Sequence, residues 1–160
     1  MKIGVISDTH IPVNCPEIPK KILKVFKDVE MILHAGDLID YKVIGMLQKI
    51  TPRVVAVCGN MDSHEACEKL AKKEILTVGR YKIGLIHGYG AADTIIETVS
   101  DELKNVDIIV FGHSHKPLNK KINGILYFNP GSATDKIFTK ENTVGILNIN
   151  DKIEANLIIV

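Results

Sequence analysis

The sequence predicts an α/β fold of two mixed sheets with helices outside both. Three observations predict it. Over the first half, short β-branched apolar runs alternate with helical patterns, which is the rhythm of βαβ units. In the second half tight-turn dipeptides recur between apolar runs, which is the rhythm of hairpins. The bulk numbers complete the case: 160 residues, 46% hydrophobic and 24% charged, with six prolines. That is enough apolar chain for one domain, residues 1–160, with its own core, and it lacks the low hydrophobicity of a disordered segment.

Lys2 to Ser7 reads as a strand buried on both faces, hence central in its sheet. Pro12 and Pro16 break the chain, and Pro19 suits the first turn of a helix with Ile22, Leu23 and Phe26 as its apolar stripe. Lys20, Lys24 and Lys27 share the opposite, solvated side. Met31 to His34 is a strand, Tyr41 to Ile50 a helix and Arg53 to Cys58 a third strand. Ser63 to Ala71 reads as a helix with Ser63 as N-cap and Ala66 and Leu70 inward. Ile75 to Val78 and Tyr81 to His87 form a hairpin around Gly79-Arg80. Asp93 to Leu103 is a helix and Ile108 to Phe111 a buried strand. Asn123-Gly124 is a type I′ turn signal joining Leu118–Ile122 to Ile125–Asn129. Thr143–Asn148 and Lys152–Val160 close the chain as a hairpin around Asn150-Asp151. No repeat, linker or low-complexity stretch marks a boundary.

Composition excludes several function classes. A net charge of +1 argues against a broad nucleic-acid surface, though not against a pocket for one phosphate. The three cysteines, Cys15, Cys58 and Cys67, are odd in number and lack a CxxC pair, so no disulfide framework is expected and a reducing cytoplasm is. The first ten residues are too short an apolar run for a signal-peptide core. No run approaches the ~18 apolar residues of a membrane span.

The polar motifs fall just past the carboxyl ends of the expected strands, where open α/β sheets bind ligands. Ile3–Ser7 leads into Asp8-Thr9-His10, a carboxylate and an imidazole two residues apart. Met31–His34 leads into Gly36-Asp37-Leu38-Ile39-Asp40, where Asp37 could bridge two ions and Asp40 caps the next helix. His34 itself reads as a packed histidine. Val54–Cys58 leads into Gly59-Asn60-Met61-Asp62, whose asparagine oxygen is a neutral hard ligand; His64 nearby reads as surface. Ile83–Ile86 leads into His87-Gly88, and Ile108–Phe111 into Gly112-His113-Ser114-His115. Four of the six histidines thus fall at strand ends, beside two aspartates and an asparagine at other strand ends. Independent accidents would not choose one sheet edge repeatedly. Mixed N/O donors suit Mn, Fe, Co, Ni or Zn, and the lack of cysteine ligands argues against a closed structural zinc site.

Taken together, Asp8-x-His10, Gly36-Asp37-x-x-Asp40, Gly59-Asn60-x-Asp62, His87-Gly88 and Gly112-His113-x-His115 resemble the ordered motif set of calcineurin-like metallophosphoesterases. The resemblance spans Lys2 to about Thr134. The small size and the Asn129-Pro130-Gly131-Ser132 turn resemble the family's short phosphodiesterase branch. That branch implies a four-layer α/β/β/α sandwich. It implies a binuclear site: one metal on Asp8, His10, Asp37 and His115, the other on Asp37, Asn60, His87 and His113, with Asp37 bridging. Mn²⁺ or Ni²⁺ is the expected pair, hydrolysing small phosphodiesters through metal-activated water. Asn60 and Asp62 are the residues expected to take a further catalytic part, and members of the branch often associate as homo-oligomers.

One position departs from the pattern. Many larger family members carry a histidine where this chain has Met61, and methionine can neither protonate a leaving group nor pair with Asp62. The expected activity is modest and favours good leaving groups. A second resemblance implies a protein-binding scaffold instead. Asp8-Thr9-His10-Ile11-Pro12, Thr77-Val78-Gly79, Lys82 to Gly88 and Asn129 to Thr134 are similar to the phosphoesterase-fold subunit of the retromer coat. That subunit has asparagine where this chain has Asp37, and aspartate where it has Asn60. All seven ligand positions are intact here, which favours the enzyme. Specificity falls to the loops Ile11–Ile18, Tyr89–Asp93 and Thr134–Asn142, with Tyr89 expected to be packed rather than stacked on a leaving group.

Overall fold

The computed structural model describes residues 1–160. In chain order the elements are β1 (Lys2–Ile6), α1 (Lys20–Val25), β2 (Met31–His34), α2 (Lys42–Gln48), β3 (Val54–Ala56), α3 (His64–Lys69), β4 (Lys73–Val78), β5 (Tyr81–Ile86), α4 (Ile95–Glu102), β6 (Ile108–Val110), β7 (Leu118–Ile122), β8 (Ile125–Asn129), β9 (Thr143–Ile149) and β10 (Ile153–Ile159). They form two five-stranded sheets, ordered β10-β9-β1-β2-β3 and β4-β5-β6-β8-β7. Both sheets are mixed. β1, β2 and β3 run parallel, with β9 and β10 antiparallel beside them. β5, β6 and β8 run parallel between antiparallel edges β4 and β7.

Three apolar clusters fill three interlayer spaces. Ile22 of α1, Phe26 just after it, and Val43, Ile44 and Leu47 of α2 pack on Ile6 and Ile32 of the first sheet. Ile3, Val5 and Leu33 of the first sheet meet Ile83, Leu85, Val110 and Phe128 of the second. Ile95, Val99 and Leu103 cover the far face of the second sheet with Ile109 and Tyr127. The architecture is therefore α/β/β/α, as expected. β1 is nearly all buried because it is paired on both edges and covered on both faces.

Local chemistry explains the boundaries. The Ser63 hydroxyl accepts from Ala66 N–H (3.2 Å) and caps α3 as predicted. Asn123 and Gly124 take φ of 49° and 87°, as a type I′ turn requires. Three helices are shorter than their sequence patterns: α2 spans Lys42–Gln48 rather than Tyr41–Ile50, α4 starts at Ile95 rather than Asp93, and α3 ends at Lys69 rather than Ala71, because Ala71 is drawn into a bridge with Val57. One expectation is corrected. Cys58 and Cys67 are joined in a disulfide, with Cα atoms 5.2 Å apart. No CxxC spacing marks this pair; α3 folding back against the end of β3 brings the two together. Cys15 is free. No helix is long and apolar enough to cross a membrane.

Candidate metal centre

The carboxyl ends of β1, β2, β3, β5 and β6 lie at one edge of the sandwich, and the predicted ligands meet there. His115 Nε2 lies 3.3 Å from Asp8 Oδ1 and 3.3 Å from His10 Nε2, and His10 Nε2 lies 3.7 Å from Asp37 Oδ2. The other Asp37 oxygen, Oδ1, lies 3.5 Å from His87 Nε2. The Asn60 oxygen is 3.0 Å from His87 Nε2 and 2.9 Å from His113 Nδ1. Asp37 thus points one oxygen at each of two groups of donors. Asp8, His10 and His115 form one compact set of possible metal ligands, and Asp8, Asp37 and His87 form another. Geometrically, Asp8 is nearer the second group than the resemblance implied.

The backbone is bent to achieve this. Asp8, His10, Asp37, His113 and His115 all have positive φ, between 43° and 65°. Each such residue costs about 1 kcal/mol or more unless its surroundings enforce the conformation. Two glycines permit the close approach of the loops. A Cβ at Gly112 would overlap the Ser7 hydroxyl and lie 2.7 Å from Asp8 Oδ2, and one at Gly59 would overlap Asp37.

Three histidines have one ring nitrogen pinned, which fixes the tautomer and frees the other nitrogen for an ion. His87 Nδ1–H donates to the Ala35 carbonyl (2.8 Å), His113 Nε2–H to the Gly90 carbonyl (3.0 Å) and His115 Nδ1–H to Asp135 (2.6 Å). Burial opposes the charged form of His115, yet the Asp8 and Asp135 carboxylates outweigh it and hold its pKa up at about 9. His87 is raised in the same way: burial opposes protonation, while Asp37 and Asp8 favour it. Burial likewise opposes ionisation of Asp37, but His87, the Met61 N–H and His10 pull its pKa below the usual carboxylate range.

The decisive test of fit for a cation is Asp8. Its side chain is fully buried, neither carboxylate oxygen makes a hydrogen bond of good geometry, and the one ion-pair contact is His115 Nε2, 3.3 Å from Oδ1. An ionised carboxylate left so in a protein interior costs several kcal/mol, whereas a divalent ion would satisfy both oxygens. The donor set, four imidazoles with carboxylate and amide oxygens, fits borderline divalent metals.

Residues 1–152 match the calcineurin-like phosphoesterase superfamily domain. The chain belongs to the calcineurin-like phosphoesterase superfamily. Among relatives of this superfamily member, a protein named as a probable metallophosphoesterase from Methanothermobacter thermautotrophicus is 37% identical over 99% of this chain and 92% of its own length. The solved structure of an archaeal phosphodiesterase superposes with a TM-score of 0.82 at 25% identity, covering 100% of both chains. Wild-type Vps29 from Entamoeba histolytica, crystallised with Zn²⁺, gives a TM-score of 0.77 at 25% identity over 99% of each chain.

The remaining predicted residues of the phosphoesterase fall outside the cluster or support it. The Asp62 carboxylate accepts from Ile39 N–H (2.6 Å), Gly59 N–H (2.7 Å) and Asp37 N–H (3.2 Å), so it holds the Asp37 and Asn60 loops together. Asp40 is not the N-cap expected of it: Tyr41 holds that position of α2 without a side-chain cap bond, and Asp40, one residue earlier, accepts from Lys42 N–H (2.9 Å). His34 is fully buried, and that burial lowers its pKa to about 4. It is neutral, accepting from Gly36 N–H (3.2 Å) and donating to Thr9 Oγ1 (3.0 Å). His64 is exposed beside Glu68. Tyr89 corrects an expectation: it is 52% exposed rather than packed, because its loop leaves the sheet at Gly88.

Sequence reasoning missed the support supplied by Asn129 to Asp135. Asn129 Nδ2 donates to the Gly112 carbonyl (2.8 Å), the Ser132 hydroxyl to the Asp8 carbonyl (2.8 Å) and the Thr134 hydroxyl to the Thr9 carbonyl (2.6 Å). The one signal was the Asn-Pro-Gly-Ser turn, which marked the place but not the partners.

Proposed function

We propose that the protein is a metal-dependent phosphodiesterase that hydrolyses small phosphodiesters, using two divalent ions held by Asp8, His10, Asp37, Asn60, His87, His113 and His115. The observation that carries this reading is the buried Asp8 carboxylate, without a well-formed hydrogen bond, at the meeting point of the His10, His87 and His115 imidazoles. Asp37 divides its oxygens between the two groups, which is what a bridging ligand needs. Mn²⁺ or Ni²⁺ is favoured, with Fe, Co and Zn also compatible with the donors. A bound pair of such ions supplies Lewis acidity that polarises phosphoryl oxygens and acidifies water.

The protein's own groups then divide the work. The pinned rings of His87, His113 and His115 present fixed lone pairs with no reorganisation. With its oxygen facing two imidazoles, Asn60 keeps its amide N–H groups free to donate to a phosphoryl oxygen. Asp62 acts through the loops it ties together. Of the exposed large apolar side chains, Leu23, Ile75 and Ile159 stand on three different elements, α1, β4 and β10, and Val13, Met61, Tyr89, Ile137 and Phe138 stand on the loops that follow or support the ligand motifs. That dispersal favours an enzyme over a scaffold of the Vps29 kind.

The test is to strip the protein with a chelator and assay bis-p-nitrophenyl phosphate with and without Mn²⁺ or Ni²⁺. Turnover restored by metal and abolished in Asp37→Ala is expected. A folded protein inactive with every metal would sink the reading and turn attention to protein partners.

A further inference from the structure

A cavity of about 500 Å³ opens beside the metal centre, with Asn60 and His87 in its wall and Tyr89, Lys72, Lys73 and Glu102 among its other lining residues. Its volume lies within the range of small-molecule sites. Its lining sets the charged groups of Lys72, Lys73 and Glu102 beside the apolar surface of Ile86 and the Tyr89 ring. Antiparallel pairing of Lys73 with Ile86 sets Lys72 beside the strand end that carries His87.

The charges there are unequal. Lys73 is occupied by Glu102, 2.8 Å from its carboxylate and 2.9 Å from its carbonyl. Lys72 has no carboxylate partner, so the lining keeps one uncompensated cation. Tyr89 adds an aromatic ring, half exposed, on the loop that follows His87-Gly88. A phosphodiester has two ester arms, and an arm leaving the phosphorus on the Asn60–His87 side enters this cavity. A flat ring suits Tyr89, and a second anion suits Lys72, since an ammonium binds phosphate as a point charge.

We propose that this cavity is the subsite for the arm retained on the phosphorus. It selects an arm of nucleotide type, with an aromatic ring and a second anionic group. The inference rests on the phosphodiesterase reading above.

Two substrates separate the ideas. The p-nitrophenyl ester of thymidine 5′-phosphate and the same ester bearing a 3′-phosphate release the same leaving group and differ only in the second anion. With Mn²⁺-loaded protein, kcat/KM is expected to be about tenfold higher for the 3′-phosphorylated ester, the worth of one charge-assisted contact. Lys72→Ala should bring that ratio close to one. Tyr89→Ala should lower kcat/KM for both esters by about tenfold relative to methyl p-nitrophenyl phosphate, which releases the same leaving group but retains an arm without a ring. A ratio near one in the unaltered protein, or a ratio that survives Lys72→Ala, overturns the subsite while leaving the phosphodiesterase reading intact. A lysine acting on the scissile phosphate would give that second result, because all substrates would fall together. Failure to turn over any of the three diesters removes both.

Discussion

Asp8 shows what a single residue demands of its surroundings. It is fully buried, sits at φ 51° and has neither oxygen hydrogen-bonded. Its neighbours are arranged around that demand. Asp135 is the clearest case, since its carboxylate receives His115 Nδ1–H (2.6 Å) and so points His115 Nε2 at Asp8. Removing such a support commonly weakens metal binding by about 10- to 100-fold. Calorimetric titration of stripped Asp135→Ala with Mn²⁺ should show a loss of that size. Unchanged affinity would reduce Asp135 to a brace for Ile137 and Phe138, whose N–H groups it also accepts. Met61 is the opposite case, a side chain 55% exposed that contributes only its backbone N–H, 2.7 Å from Asp37 Oδ1. An imidazole there would have room and a proton to give. Met61→His is expected to raise turnover of a diester with an alkoxide leaving group by about tenfold or more; equal turnover would show that the missing histidine is not what limits this chain.

At the scale of elements, the site depends on strand ends and on the loops that leave them. β3 spans only Val54–Ala56, and the loop after it carries Asn60 and Asp62 into α3, a helix of six residues. So short a helix is not stable alone. It is held by the Ser63 cap, by burial of Ala66 and by the Cys58–Cys67 disulfide. Ser63→Ala should lower stability by about 1 kcal/mol, read as a shift in urea midpoint at constant slope. A shift near zero would show that α3 is positioned by its disulfide and packing alone.

For the whole molecule, the governing fact is that each sheet carries part of the ligand set. Asp8, His10, Asp37 and Asn60 follow strands of the first sheet, and His87, His113 and His115 follow strands of the second. The site therefore exists only while the two sheets are packed. Phe128 is central to that packing: it is fully buried between the sheets, and its ring occupies the space that a Cβ at Gly145 would take. Phe128→Ala should cost about 3–5 kcal/mol in chemical denaturation. Bound Mn²⁺ should recover part of that loss, because a ligand of the native state alone stabilises it by mass action. No metal-dependent recovery would mean that Mn²⁺ does not bind the native state of this variant.

The sequence by itself determined the elements, their class and the identity of the clustered residues. Strand and helix patterns are local, and Asn123-Gly124, Ser63 and Asp40 act on atoms two or three residues away. The placement of polar motifs after apolar runs also survives in one dimension, so the seven residues that the fold gathers at one edge were legible. What only the tertiary structure decided is everything that joins distant segments. His115 and Asp135 are 20 residues apart, Ser132 and Asp8 are 124 apart, and neither pairing has a periodicity to betray it. The same holds for Cys58 with Cys67, for the exposure of Tyr89 and for the cavity that runs from Asn60 to Lys72. Such contacts are set by how two twisted sheets close on one another, and that geometry depends on the whole core rather than on any segment of chain.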